Sequence, residues 1–147
     1  MATFLGTGYS PIASGTVATA AAIPLYLALT LLPPATLQPW PLIAGLLLAT
    51  LGGIAAAGMA ERHFGIHDPS EVVIDEVAGF LLTMLFVPAG LVTVAAGFLL
   101  FRVFDIVKPW PAGPAERLGG GLGIMADDLV CGLYANLLLH LGLSLLT

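Results

Sequence analysis

The sequence predicts an all-α fold set in a membrane, a multihelical bundle of about five apolar helices forming one domain over residues 1–147. Hydrophobic residues make up 59% of the chain and charged residues only 9%, where a soluble domain carries roughly a quarter charged residues. The apolar runs are spread along the whole length and punctuated by Pro and Gly, so a cleavable leader does not account for them, and no processing is expected. Every charged side chain lies between Glu61 and Asp128. Nine acids against four bases leave a net charge of −5, which excludes the basic footprint of a nucleic-acid binder. A lone cysteine, Cys131, excludes an internal disulfide and reads as a small packing residue.

Residues 6–16, GTGYSPIASGT, form a Gly- and hydroxyl-rich loop feeding the first helix. Its backbone N–H groups and the hydroxyls of Ser10, Ser14 and Thr16 can face an anion at the positive end of that helix; an ordinary cap by Ser14 or Thr16 is the alternative. Residues 17–32 make the first span, ended by Pro33-Pro34, and residues 41–60 the second, about 30 Å long. Small residues at four-residue steps in the second span (Gly52, Ala56, Ala60 and Gly53, Ala57) serve close helix packing. Glu61-Arg62-His63 marks the exit from lipid. His63 and His67 share a face only if a helix runs through Gly65 and the following Asp-Pro, so they make a poor metal pair.

Asp68-Pro-Ser-Glu71 has the form of a helix start, with Asp as cap and Glu reaching back, which places Asp75 and Glu76 well inside that helix. Two adjacent acids project about 100° apart on a helix. They either grip one ion, address two, or sit solvated at the membrane surface. Residues 77–104 are then one long span or a hairpin broken at Val87-Pro-Ala-Gly90. The hairpin is expected, because it brings Asp75 and Glu76 to the same side as Lys108 and the Asp127-Asp128 pair. It also gathers all four Arg and Lys on one face, which the positive-inside rule assigns to the cytoplasm. Its second arm, residues 91–104, is only about 21 Å long, so it is re-entrant or shielded by its neighbours.

Residues 101–132 hold much of the remaining charge. Arg102 and Asp105 fall on one helical face and can pair, and Pro109 should end that helix at Lys108. Arg102 and Lys108 are either a phosphate clamp, a planar fork with a point charge, or interfacial cations with Asp105 as counter-ion. Glu116 and Arg117 read as a surface feature of the following loop. The GGGLG of residues 119–123 reads as flexible backbone that can approach a ligand or a helix, and Asp127-Asp128 as the start of a last helix continuing through residues 129–146. His140 reads as a packed or interfacial residue of that span. Oxygen donors at residues 75, 76, 105, 127 and 128, without a set of thiols or paired imidazoles, favour Mg²⁺ over zinc or copper. Carboxylate-held cations beside an Arg and a Lys suit phosphoryl transfer.

GTGYSPIASGT, VVIDEVAGF, FRVFDIVKPWP and GGGLGIMADDLVCG, in this order and over essentially the whole chain, resemble the phosphatidylglycerophosphatase A family. The resemblance implies an all-α, Mg²⁺-dependent phosphatase of the bacterial inner membrane, with its site on the cytoplasmic face. It implies removal of the terminal phosphate of phosphatidylglycerophosphate to give phosphatidylglycerol. Asp75, Glu76, Arg102, Asp105, Lys108, Asp127 and Asp128 match the family's motifs, as do Ser10, Pro11, Gly15 and Thr16. Cys131 is a small departure where an Ala-like residue is expected. The assignment that follows gives metal binding to Asp75, Glu76, Asp127 and Asp128, and substrate binding to Ser10, Ser14, Gly15, Thr16, Arg102 and Lys108. Asp105 ligates metal or orients a base. Arg102, Asp105, Lys108 and Asp128 form the catalytic set, acting on a phospholipid within the bilayer. A small ion-coupled transporter or channel subunit is the alternative; it predicts charges spread through the spans rather than gathered at one face.

Overall fold

A computed structural model describes residue 3, residues 14–65 and residues 72–146. Six α-helices fill the described residues: α1 (Ser14–Leu31), α2 (Trp40–Phe64), α3 (Ile74–Thr83), α4 (Leu91–Val107), the short α5 (Ala112–Glu116) and α6 (Gly120–Leu146). A single 3₁₀ turn, Ala35–Leu37, links α1 to α2. Ser14–Leu31, Trp40–His63 and Gly120–Leu146 are long and apolar enough to cross a membrane. Their outward faces expose leucines such as Leu31, Leu48, Leu51 and Leu145, as a surface solvated by lipid does. Long α6 is the spine, packing on α2, α3, α4 and α5.

The chain does turn back before Pro88. α3 ends at Thr83 and α4 begins at Leu91, so the two form the expected hairpin. Breaking a helix at membrane depth frees backbone carbonyls that lipid cannot satisfy. Here α6 supplies the donors. Asn136 Nδ2 donates to Thr83 O at 2.9 Å and Leu85 O at 2.8 Å, and His140 Nε2 lies 3.2 Å from Leu85 O. Tyr26, wholly buried, directs its hydroxyl to Val87 O at 3.4 Å. His140 therefore serves the hairpin from within the last span.

Three boundaries differ from the sequence reading, each for a local reason. Val72 and Val73 are not helical and α3 starts at Ile74, so Asp75 and Glu76 stand in its first turn rather than deep inside a helix. Carboxylates are favoured there by the unpaired N–H groups and the positive end of the dipole. The cap expected from Asp68 to Glu71 lies outside the described residues, as does His67.

α6 begins at Gly120, which places Asp127 and Asp128 in its third turn instead of at its start. Two of the glycines expected to be flexible, Gly121 and Gly123, are helical and packed, whereas Gly119 precedes the helix in a left-handed conformation with open space beside it. A Cβ on Gly121 would run into the backbone of Ile54, and one on Gly123 would come within 2.6 Å of Glu116 O. Only glycine lets α2 and α5 sit that close to α6. Residues 112–116 are likewise a short helix rather than open loop.

All these elements bring the N-terminus of α1, the end of α2, the start of α3, the end of α4 and the start of α6 to one end of the bundle. Cysteines introduced by His63→Cys and Gly113→Cys, in a Cys131→Ser background, are expected to react with an impermeant maleimide from one side of the membrane. Thr36→Cys and Ala89→Cys are expected to react from the other. Labelling of Ala89→Cys and Gly113→Cys from the same side would remove the hairpin.

Candidate active site

The first turn of α3 is where the site is built. Asp75 and Glu76 there, Asp105 and Lys108 at the end of α4, Asp127 and Asp128 in α6, and Ser14 and Gly15 at the start of α1 line one polar cavity of about 160 Å³, closed by Val72 and Val73. Asp75, Asp127 and Asp128 are buried. Because α6 starts seven residues before Asp127, the acids lie roughly 10 Å in from that helix end. One close helix crossing, α3 on α6, sets their spacing. Gly79 of α3 and Gly132 of α6 meet backbone to backbone, and a Cβ on Gly79 would come within 2.8 Å of Asp128 O.

Within the cavity, Glu76, Asp105 and Asp128 each offer a carboxylate oxygen, and the three oxygens lie within 4.8 Å of one another. Three carboxylates at that spacing repel one another unless a proton or a cation lies among them. Oxygens ligating one Mg²⁺ at about 2.1 Å are about 3 to 4 Å apart, so a small contraction turns the trio into a ligand set. The donor chemistry, oxygen throughout, fits a hard divalent cation. Asp75 and Asp127 line the same cavity but are not members of the trio, whereas Asp105 is.

The cations divide the acids between them. Arg102 Nη1 pairs with Glu76 Oε2 and, at 3.0 Å, with Asp105 Oδ2. It bridges α3 to α4 and stands behind the residues that line the cavity. Its Nε is buried without a hydrogen-bond partner among the described residues. Lys108 takes the other pair, with Nζ 2.7 Å from Asp127 Oδ2 and 3.0 Å from Glu116 Oε2. Burial works against the Lys108 charge, but the hydrogen bonds to Asp127 and Glu116 outweigh it, and its pKa lies above the ordinary lysine value.

At the start of α1, Gly15 sits directly against Glu76. A Cβ there would overlap the Glu76 carboxylate, so only glycine brings the positive end of α1 onto that side chain. The end of α1 thus addresses an anion, and the anion within reach in this structure is a protein carboxylate. Thr16 is half-buried and is not among the residues lining the cavity; Ser10 lies outside the described residues.

Sequence reasoning missed four contributors. Thr19, wholly buried, has Oγ1 2.9 Å from Gly15 O and 3.0 Å from Glu76 Oε2. Its one signal was a hydroxyl inside an apolar helix, one turn beyond Gly15. Val72 and Val73 had no signal beyond their place at the head of the VVIDEVAGF stretch. Glu116, read as a surface feature, contacts Lys108 instead, because α5 folds back across the end of α4. Cys131 is buried with Sγ 3.4 Å from Phe104 O, in keeping with a packing role.

The phosphatidylglycerophosphatase A family model matches residues 1–143. A Bacteroides thetaiotaomicron protein, named as a candidate phosphatidylinositol-3-phosphatase, is 41% identical over 93% of this chain and 87% of its own length. The phosphatidylglycerophosphatase A of Escherichia coli is 37% identical over 95% of this chain and 80% of its own. That of Haemophilus influenzae is 40% identical over 48% of this chain and 45% of its own. No solved structure matches the chain.

Proposed function

The chain belongs to the phosphatidylglycerophosphatase A family, and from that premise we infer that it is a membrane phosphatase removing the terminal phosphate of phosphatidylglycerophosphate to leave phosphatidylglycerol. The observation that carries the chemistry is the trio of carboxylates on α3, α4 and α6, with Lys108 on the wall of the same cavity. Two of the relatives bear the name of this activity. The transporter reading has no support: the charges among the described residues gather at one end of the bundle and the named relatives are phosphatases.

In this reading residues 1–147 are one phosphatase domain, and Glu76, Asp105 and Asp128 hold Mg²⁺, with Asp75 beside them as a further oxygen donor. When bound, the ion supplies Lewis acidity to a phosphoryl oxygen. Arg102 holds Glu76 and Asp105 in place against their mutual repulsion and lends its positive charge to the cavity from behind its lining. Lys108 binds a second phosphate oxygen. Asp127 keeps the Lys108 ammonium at the cavity rather than serving the ion itself. Ser14 and Gly15, which line the cavity, face the substrate at the positive end of α1, and a substrate role for Thr16 and Ser10 is proposed from the family motif alone. A lipid whose headgroup enters from the membrane surface keeps its chains among the apolar helices. The site belongs to the cytoplasmic face of a bacterial inner membrane, where the four Arg and Lys gather.

The test is phosphate release by the purified protein in detergent from phosphatidylglycerophosphate and, separately, from phosphatidylinositol 3-phosphate, each with Mg²⁺ and with chelator. Release from the first, lost on chelation, is expected. Exclusive release from the second would move the substrate to that named for the Bacteroides relative, and release unaffected by chelation would remove the metal.

A further inference from the structure

Lys108 is a phosphate ligand in the reading above, and the inference here rests on it. A lysine carries an ammonium on a flexible four-carbon stem, with rotamer entropy to lose. The structure restrains it twice. Its backbone is left-handed, with φ of 46°, where α4 ends. That is an uncommon conformation for a residue with a side chain. The turn it makes, followed by Pro109 and Pro111, sends the chain back so that α5 lies alongside α6. At the end of α5, Glu116 Oε2 reaches Lys108 Nζ at 3.0 Å, opposite Asp127 Oδ2 at 2.7 Å.

An ammonium has three N–H donors. Asp127 and Glu116 take two of them, and Lys108 lines the cavity while Glu116 does not. The third is left for the cavity. We propose that Glu116 is a positioning residue, holding Lys108 from outside so that its remaining donor meets a phosphate oxygen of the bound lipid. Asp127 alone, on a rigid helix, fixes one bond and leaves the ammonium free to rotate about it; Glu116 removes that freedom.

The experiment is a double-mutant cycle, reading the Kd of a phosphonate analogue of phosphatidylglycerophosphate that cannot be hydrolysed, bound to the full chain in detergent with Mg²⁺. Glu116→Ala is expected to weaken binding about tenfold, the range of supporting partners at functional sites. Glu116→Gln, which keeps an acceptor, should stay within about threefold of the unaltered protein. In a Lys108→Ala background neither change should move Kd, because nothing remains to be positioned. An equal loss in both backgrounds, or no loss in the unaltered one, would overturn the proposal. Binding and coupling intact in a protein that does not hydrolyse phosphatidylglycerophosphate would defeat the substrate assignment and leave Glu116 its role. Lys108→Ala without effect on Kd would defeat both.

Discussion

Asp128→Asn is expected to lower the rate of phosphate release about 10³-fold, while Asp127→Asn lowers it about tenfold. The two residues are neighbours on α6, and a sequence offers no reason to separate them. In the structure Asp128 faces Glu76 and Asp105, whereas Asp127 is held by Lys108. Asn matches the shape of Asp but carries no charge and one acceptor oxygen, so it weakens a cation site without opening a cavity. At Asp127 the same change leaves an oxygen for Lys108 to bond, which softens the loss. Steady-state phosphate release at saturating Mg²⁺, with thermal unfolding to verify the fold, makes the comparison. Equal effects at the two positions, or an Asp128→Asn variant retaining more than a tenth of the activity, would reject the trio as the metal centre.

The second large effect comes from a residue that carries no charge. Gly132→Ala is expected to cost about 100-fold in activity, because α3 and α6 cross with their backbones in contact at Gly79 and Gly132 and a Cβ on Gly132 runs into Gly79 O. Backbone cannot rotate away as a side chain can, so the helices must part. Glu76 rides on α3 one turn from Gly79, and Asp128 rides on α6 one turn from Gly132. Separating the helices by about 1 Å separates the carboxylates, and displacement of that size at a reacting centre is enough for a 100-fold loss. The control is Gly52→Ala, where a Cβ meets nothing within 4 Å and activity should be unchanged. Mg²⁺ affinity should fall in parallel with activity in Gly132→Ala. Full activity with unchanged metal affinity would show that the crossing does not set the spacing of the trio.

The family assignment and the site chemistry bear on each other. Relatives at 41% and 37% identity carry the names of two different lipid phosphatases, and both activities split a phosphate monoester from a lipid headgroup. In the proposed reading the trio, Arg102 and Lys108 act on that shared group. Discrimination between a glycerol and an inositol headgroup therefore belongs to surfaces around the cavity, which the paired substrate assay addresses.

Much was legible in the sequence because lipid restricts the possibilities. Apolar runs of span length have to be helices, since no other element satisfies its own backbone in hydrocarbon. Pro88 and Gly90 favoured a break over one long span in the run that contains them, and charge in so greasy a chain marked the site as a group. What the sequence did not decide was which acid serves which partner. Asp105 joins the trio and Asp127 leaves it, because α6 begins at Gly120 and turns Asp128 toward α3 and α4 while Asp127 meets Lys108. Gly121 and Gly123, which read as flexible, proved to be packed where α6 meets α2 and α5. Glu116 reached Lys108 only through a left-handed turn and a short helix behind it. Composition and helical period are local properties, so the sequence alone determined a bundle of membrane helices with an anionic site at one end. The rotation of each helix about its axis is set by how side chains and bare glycine backbones of different helices fit together, and only the tertiary structure decided it.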